Sequence, residues 1–473
     1  MTEPFDGPAF FERVIDKLRQ CLLDGKDSSG DLCADIVSCL NLPLLNSDVV
    51  TVEAETRGQT SNLAWHEHRK HVICSSEAVS FLASNTDTIR LAALFTKLMV
   101  RAKLGTVLSS HATNMERWPL WLRRGALNEE VVYQTVECCL PELVSHMAIP
   151  PSWSLHRPGF MKLAPHIGAS PDALIKTTDD VISAILEIKC PRACYIDDTD
   201  GDVGAILHET LLASICNKGW AKLGLKTAPL VDLTSSIDTD QMVKSELLGE
   251  YGRRATSQNP FLVTLKRSGR DDDDVQIDGV DEIHAMKAGS LVVTPYHRYG
   301  VQMCLQGEAV ARLQPDKPVA KSYMIIPLMA ESKEKDIGRK MCFKGDATSV
   351  TVITKDVCLP LALLFVPFIP SQTYVTDVMT GLETTLCLGA TYATVDTLFD
   401  RGDFWQDGVP LTTDTLLTML ERHYHHFPNP YVQPGRLKRQ YVMDDADHQF
   451  KKKKKKKKLK NGDNFFFFLL LLL

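Results

Sequence analysis

No apolar run in this sequence approaches the ~20 residues that a membrane-spanning helix needs, so no span is expected. The opening stretch, MTEPFDGPAFFERVIDKL, lacks the apolar centre of a signal peptide, and secretion is not expected. Zinc-site spacing is absent too: Cys190 and Cys194 make a single pair, and Cys138 and Cys139 are adjacent. The 13 cysteines, odd in number and with no leader, read as reduced thiols of a nuclear or cytoplasmic protein. No internal repeat is present, which excludes a repeat array. What is there is ordinary for a globular protein. Hydrophobic residues make up 44% and charged residues 24% of 473, which excludes wholesale disorder, collagen and coiled coil. The length suits two to four domains, or one large core with additions.

The formal charge is −6, but the nine Lys and one Asp of residues 451–473 contribute +8, so the chain ahead of them carries −14. An acidic body can hold a polyanion only through a local basic patch or a bound metal. The tail itself consists of eight consecutive Lys (451–458) and, at its end, FFFFLLLLL. A Lys run can be a nuclear import signal or a nucleic-acid arm. Homopolymeric residues of two kinds read better as translated homopolymer nucleotide tracts, an artefact, and residues 446–473 are set aside.

Apolar spacing predicts an amphipathic helix over 8–24, one or two helices over 77–104, and a helix from Gly125 to residue 146 that Pro141 interrupts. Beyond Pro158 the pattern changes: LAPHIGASPDALI and VISAILEIKC read as a hairpin. Residues 231–289, preceded by the acidic DDTDGD (197–202) and containing DDDD (271–274), read as an insertion or mobile loop. Then come a strand at 291–295, a helix in YHRYGVQMCLQGEAVARL, and β-rich runs at 323–329 and 348–369. The division is an N-terminal helical region (1–56), a core (57–330) with an insertion near 195–290, a C-terminal α/β extension (331–445) and the tail. The fold class is mixed α/β: a central mixed sheet flanked by helices, with the C-terminal extension β-rich.

The residues that carry chemistry are Ser170-Pro171-Asp172 and, 14 residues after Asp172, Glu187-Ile188-Lys189. On a hairpin Asp172 sits at the end of one strand, and Glu187 and Lys189, two apart on the next, share a face. Two carboxylates and the Ile188 carbonyl make a hard, oxygen-rich site suited to Mg²⁺ or Mn²⁺. A lysine beside such an ion can orient or help deprotonate an attacking water, the minimum equipment for phosphodiester hydrolysis. A bare D…ExK is by itself usually an exposed strand face and a turn. Here ILEIKC puts the charged pair inside an apolar run, where burial needs a reason.

Upstream, Glu129 shares a helix face with Val132 and Tyr133 and can turn towards the core, whereas Glu130 reads as solvated. In AWHEHRKHVICSSE, Arg69 can fork onto a phosphate and Ser76 can cap the following helix or face an anion. Trp65 is a core candidate, and the three histidines read as surface residues rather than zinc ligands.

In this order the segments resemble the lambda-exonuclease-like branch of the PD-(D/E)XK nucleases, which includes phage lambda exonuclease, YqaJ-type viral recombinases and herpesvirus-type alkaline nucleases. AWHEHRKHVICSSE, RRGALNEEV, GASPDALI, LEIKCP and TPYHRYGVQMCLQ look like its ordered blocks, over roughly residues 57–310. Ala173 stands where that family often has Gly, and Cys74-Ser75 stand where it has Thr-Ala. The resemblance implies a restriction-endonuclease-like core. It implies Asp172, Glu187, Ile188 and Glu129 as ligands of one or two Mg²⁺ (or Mn²⁺) ions, and Lys189 as the water-activating lysine. Arg69, Ser76 and Ser170 would contact phosphate, and Gln302 would brace the site, with Gln306 an alternative register. The implied activity is 5′→3′ exonuclease digestion of double-stranded DNA with free ends, in viral-type recombination or replication. An annealing protein would be the partner. An endonuclease or RNase of the same fold, or an inactive nucleic-acid-binding homologue, are the other readings.

Overall fold

The computed structural model describes residues 46–82, 120–196, 225–227, 259–317, 320–368 and 370–385, with short interruptions inside these ranges. The chain divides into residues 1–423 and 424–473, and every described residue lies in the first part. The helix expected over 8–24, the acidic run 197–202 and the tail lie outside the described residues.

Helix α1 (Asn46–Glu55) leads through a 3-10 turn (Gln59–Ser61) into α2 (Leu63–Arg69), the short strand β1 (Ile73–Cys74) and α3 (Ala78–Leu82). Two helices follow, α4 (Leu120–Cys138) and α5 (Leu140–His146). Along α4 the residues Asn128, Val131, Val132, Thr135 and Val136 are buried, a stripe at helical spacing. The helix starts ahead of Gly125, which lies inside it with nothing within 4 Å of an added Cβ. The break comes at Cys139, and Pro141 opens α5 in its first turn, where a missing N–H costs nothing.

The main sheet is built from β2 (Trp153–His156), β5 (Ala173–Thr177), β6 (Ile182–Ile188), β12 (Lys321–Ala330), β15 (Leu359–Phe368), β9 (Phe261–Arg270), β10 (Asp274–Ala285), β13 (Lys340–Phe343) and β14 (Asp346–Val352), neighbours in that order. A tenth strand, β7 (Tyr195–Ile196), pairs with β12. The sheet is mixed: β6 and β7 run parallel to β12, and β10 runs parallel to β13, while the remaining pairs are antiparallel. Strands β12 and β15 are buried along almost their whole length, as unbroken apolar runs in the middle of a covered sheet should be. A second, three-stranded sheet has β4 (Ile167–Ala169) between β1 and β3 (Met161–Ala164), and β8 (Leu225–Thr227) pairs with β11 (Leu291–Val293).

The hairpin expected from GASPDALI and VISAILEIKC is β5–β6, with Ala173 opposite Leu186. Residues 231–289 differ from their reading as insertion or mobile loop. Their second half supplies β9 and β10, two of the longest strands of the main sheet. Of DDDD, Asp274 is the first residue of β10, and residues 271–273 lie outside the described residues. The acidic run hides in the sequence two strands with apolar inner faces: β10 alternates buried and half-buried positions from Asp274 to Val280. The sheet also runs on past residue 330, since β15 lies directly beside β12.

The core on one face of the sheet joins Val131, Val132 and Val136 of α4 to Ala173, Ile175, Ala184, Leu186, Ile188, Ile325 and Phe365. Phe261 and Phe365 stack there, with ring centroids 4.6 Å apart. By strand alternation, Asp172, Glu187 and Lys189 belong to the other face. Helix α6 (Arg298–Leu313) covers that side, packed against β6, β3 and β4.

Candidate active site

The hairpin brings its two ends together by backbone pairing alone. Asp172 immediately precedes β5, and its Oδ2 accepts a hydrogen bond from the Ile188 N–H at 2.7 Å. Glu187 lies next to Ile188 with 0% of its surface exposed. Lys189 leaves the strand with its own N–H donated to the Ile325 carbonyl at 2.9 Å, so β12 fixes where its side chain begins. The Lys189 ammonium donates to Glu187 Oε1 and, at 3.1 Å, to the Ile188 carbonyl. It stands 4.0 Å from Asp172 Oδ2 and 5.4 Å from the centre of the Tyr299 ring.

A buried carboxylate needs more than one donor. Helix α6 supplies two more from residues one turn apart. Gln302 Nε2 donates to Glu187 Oε1 at 2.5 Å, and Gln306 Nε2 donates to Glu187 Oε2. Gln306 also reaches the Ser170 carbonyl, at 3.3 Å. Both glutamines thus brace the site, where the sequence favoured Gln302. Their i, i+4 spacing is the signal that admits both.

Burial is the main reason that Glu187 holds its proton up to about 7, with the Asp172 charge adding to it and Lys189 and Gln306 opposing. Asp172 is raised in the same direction, by burial first, against Lys189, the Ile188 N–H and Arg157. Burial works against the Lys189 ammonium, yet the charges of Glu187, Asp172 and Glu129 outweigh it and raise its pKa. The lysine is therefore a firm cation.

Glu129 comes from α4, on the opposite face of the sheet, and enters the electrostatic field of the same cluster. Its carboxyl is pushed up to about 8, by burial first, then by Asp172 and Glu187, against Lys189. Its neighbour Glu130 turns outward, 44% exposed, and pairs with Arg157 at 2.6 Å. Asn128 sets this part of α4. Fully buried, it donates to the Arg124 and Asp356 carbonyls at 2.8 and 2.9 Å, and accepts from the Cys358 N–H at 2.8 Å. Nothing in the sequence marked it. Asn128→Ala strands two buried backbone groups of the segment before β15 and is expected to cost about 2–4 kcal/mol, read as a lower midpoint in urea unfolding.

Among the described residues no group of three or more His, Cys, Asp or Glu is set to hold an ion. Both oxygens of Glu187 are taken up by Lys189, Gln302 and Gln306, and Glu129 reaches the field of the cluster from α4. The donor chemistry still fits a hard divalent cation, since Asp172, Glu187 and the Ile188 carbonyl offer oxygen alone.

Two of the expected phosphate-binding residues, Arg69 and Ser170, are linked through Trp65 beside this cluster. Trp65, 6% exposed, donates its indole N–H to Ser170 Oγ at 3.0 Å. The Arg69 guanidinium lies 3.9 Å over the Trp65 ring and donates to Cys74 Sγ at 3.1 Å. Gln59 holds the turn before Asp172, donating to the Pro171 carbonyl at 2.7 Å and the Pro158 carbonyl at 3.1 Å. Gly168, just ahead, lies so close under the Phe160 ring that a Cβ would meet it at 2.1 Å. Ser76 is exposed in the turn between β1 and α3. It lies one residue too early to cap α3, whose preceding residue is Glu77.

No protein-family model and no curated protein sequence matches this chain. Solved structures do. The KSHV SOX–RNA complex superposes with a TM-score of 0.50 at 16% identity, covering 74% of this chain and 76% of that one. A SOX–DNA complex superposes with a TM-score of 0.50, also at 16% identity, covering 74% and 73%. The Shutoff and Exonuclease Protein from Kaposi's sarcoma associated herpesvirus gives 0.47 at 16% identity, covering 74% of each. This protein therefore shares the fold of the SOX structures solved with RNA and with DNA.

Proposed function

We propose that this protein is a Mg²⁺- or Mn²⁺-dependent deoxyribonuclease, a 5′→3′ exonuclease on double-stranded DNA with free ends, serving viral-type recombination or replication. The observation that carries the reading is the buried Asp172–Glu187–Lys189 cluster, braced by Gln302 and Gln306, in a fold shared with proteins solved with DNA and with RNA. Asp172, Glu187, the Ile188 carbonyl and Glu129 would hold one or two ions. Such an ion supplies Lewis acidity at the phosphate and lowers the pKa of its bound water.

The chain's own groups do the rest. Lys189, kept as an ammonium by the acids around it, donates to the attacking water and orients it. Gln302 and Gln306 hold Glu187 in one rotamer, so the charge of the site does not wander. Arg69 and Ser170, linked through Trp65, take the phosphate at the end of the strand, with Ser76 alongside. In a body this acidic, such local cations are needed to bring a polyanion in. Among the described residues no helix is long and apolar enough to cross a membrane. The nuclear or cytoplasmic setting and a single-strand annealing partner belong to the same reading.

The test is to incubate the purified protein with Mg²⁺ and duplex DNA labelled at either the 5′ or the 3′ end. Mononucleotide release from the 5′ label ahead of any internal product is expected. Internal fragments, or cleavage of an RNA added in parallel, would establish the endonuclease or RNase reading, which the RNA-bound SOX neighbour favours. Binding without turnover would establish an inactive homologue. Arg69→Ala is expected to slow digestion of 5′-phosphorylated ends about tenfold more than of 5′-hydroxyl ends, because one charge-assisted phosphate contact is lost. Equal losses on the two ends would remove Arg69 from end recognition.

A further inference from the structure

A second arginine stands at the acid cluster, and nothing above assigns it a task. Strand β2 pairs with β5 so that His156 faces Leu174. Continuing that register puts Arg157 opposite Ala173, on the face that α4 covers and one strand position from Asp172. Its guanidinium lies 3.8 Å over the ring of Tyr133, which is one turn beyond Glu129 on α4. Arg157 is thus placed one strand position from Asp172 and, through Tyr133, one helical turn from Glu129. The Asp172 carboxyl also registers it, since Arg157 is among the charges that lower its pKa against the raising effect of burial.

The arginine is accessible and held in one orientation. Its side chain is 39% exposed, and stacking on Tyr133 fixes the plane of the guanidinium. The partner in the free protein is the Glu130 carboxylate, at 2.6 Å and 44% exposed. An exposed ion pair of this kind contributes little and exchanges readily. An anionic oxygen at 2.6 Å also marks the position that a phosphate oxygen would take. Arg69 over Trp65 is prepared in the same way, at 3.9 Å.

We propose that Arg157 is a substrate-binding residue that takes a phosphodiester of the bound strand next to the cleavage position, with Glu130 as the internal anion the phosphate displaces. This rests on the nuclease reading. It adds the second local cation that an acidic chain needs at its site. Because an arginine fork stacked on an aromatic ring is specified by shape as well as charge, lysine should replace it only in part.

The experiment is equilibrium binding of a labelled DNA duplex in EDTA, at a series of salt concentrations, for the full chain and the variants Arg157→Ala, Arg157→Lys and Glu130→Gln. Melting curves serve as the folding control. Arg157→Ala is expected to weaken binding about tenfold and to reduce the slope of log K against log salt by about one, the loss of one phosphate contact. Arg157→Lys should keep the slope and recover part of the affinity. Glu130→Gln should tighten binding a few-fold, since the competing carboxylate is gone. A merely structural role for the Arg157–Glu130 pair would weaken binding in both single variants and leave the salt slope alone, which overturns the proposal. Unchanged affinity and slope in Arg157→Ala, in a wild type that binds and cleaves DNA, overturns this inference and leaves the nuclease reading standing. A wild type that neither binds nor cleaves overturns both.

Discussion

Lys189→Ala is expected to lower the rate of strand cleavage about a thousandfold or more while leaving metal-free DNA binding within a few-fold of wild type. The separation follows from what the ammonium touches. It donates to Glu187 and to the Ile188 carbonyl and lies 4.0 Å from Asp172, so it belongs to the reacting end of the site. The phosphate contacts assigned to Arg69, Ser170 and Arg157 come from other elements and survive the change. Removing one member of a buried ion pair costs ~3–5 kcal/mol when the other charge stays in place. Glu187 has a way out, because its proton affinity is already raised to about 7 by burial and by Asp172. Without Lys189 it will keep its proton at neutral pH, and the loss of stability will be smaller than that figure. Initial rates on end-labelled duplex, set beside a melting curve, check both halves. Turnover at the wild-type rate in a folded Lys189→Ala protein would remove the lysine from the mechanism.

Asp172→Asn is expected to be as damaging to cleavage, yet to make the metal-free protein more stable at alkaline pH. The asparagine carbonyl can still accept the Ile188 N–H, so the hairpin keeps its closing hydrogen bond and only the charge is lost. That charge raises both Glu187 and Glu129, after burial. In the wild type these two glutamates bind protons more tightly folded than unfolded, at about 7 and about 8. Their contribution to stability is therefore fully present below the ordinary carboxylate range and is lost as pH rises through those values. Taking Asp172 out relieves the repulsion. The melting temperature of the variant should exceed that of the wild type above pH 8, and the difference should shrink as the glutamates take up protons. A divalent cation works in the opposite sense: the rise in melting temperature that Mg²⁺ gives the wild type should be largest at high pH and small or absent in Asp172→Asn. A variant that cleaves normally, or whose melting temperature falls at every pH, would contradict this account of the cluster.

Several parts of this site could be read from short stretches of sequence because the chemistry there is local. Strand alternation puts Glu187 and Lys189 on one face. An apolar run around Glu187 implies that it is buried, as it is. Helical spacing separates the inward Glu129 from the outward Glu130. The central sheet was legible in its apolar runs, with one failure: the acidic run DDDD concealed β9 and β10, whose place in the sheet depends on pairing with β13 and β15.

Hairpin register, strand faces and helix faces come from backbone geometry over fewer than about twenty residues, and the order of amino acids was enough to set them for this chain. The meeting of separate segments was not written that way. Gln302 and Gln306 reach Glu187 across more than a hundred residues because α6 packs over β6. Asn128 is buried against the segment before β15, and Arg157, just past β2, is stacked on Tyr133 of α4. Glu129 enters the field of Asp172 and Glu187 from α4, a helix whose apolar residues pack on the other face of the sheet. Those placements follow from the order of strands and the packing of whole elements, which no spacing within a segment encodes.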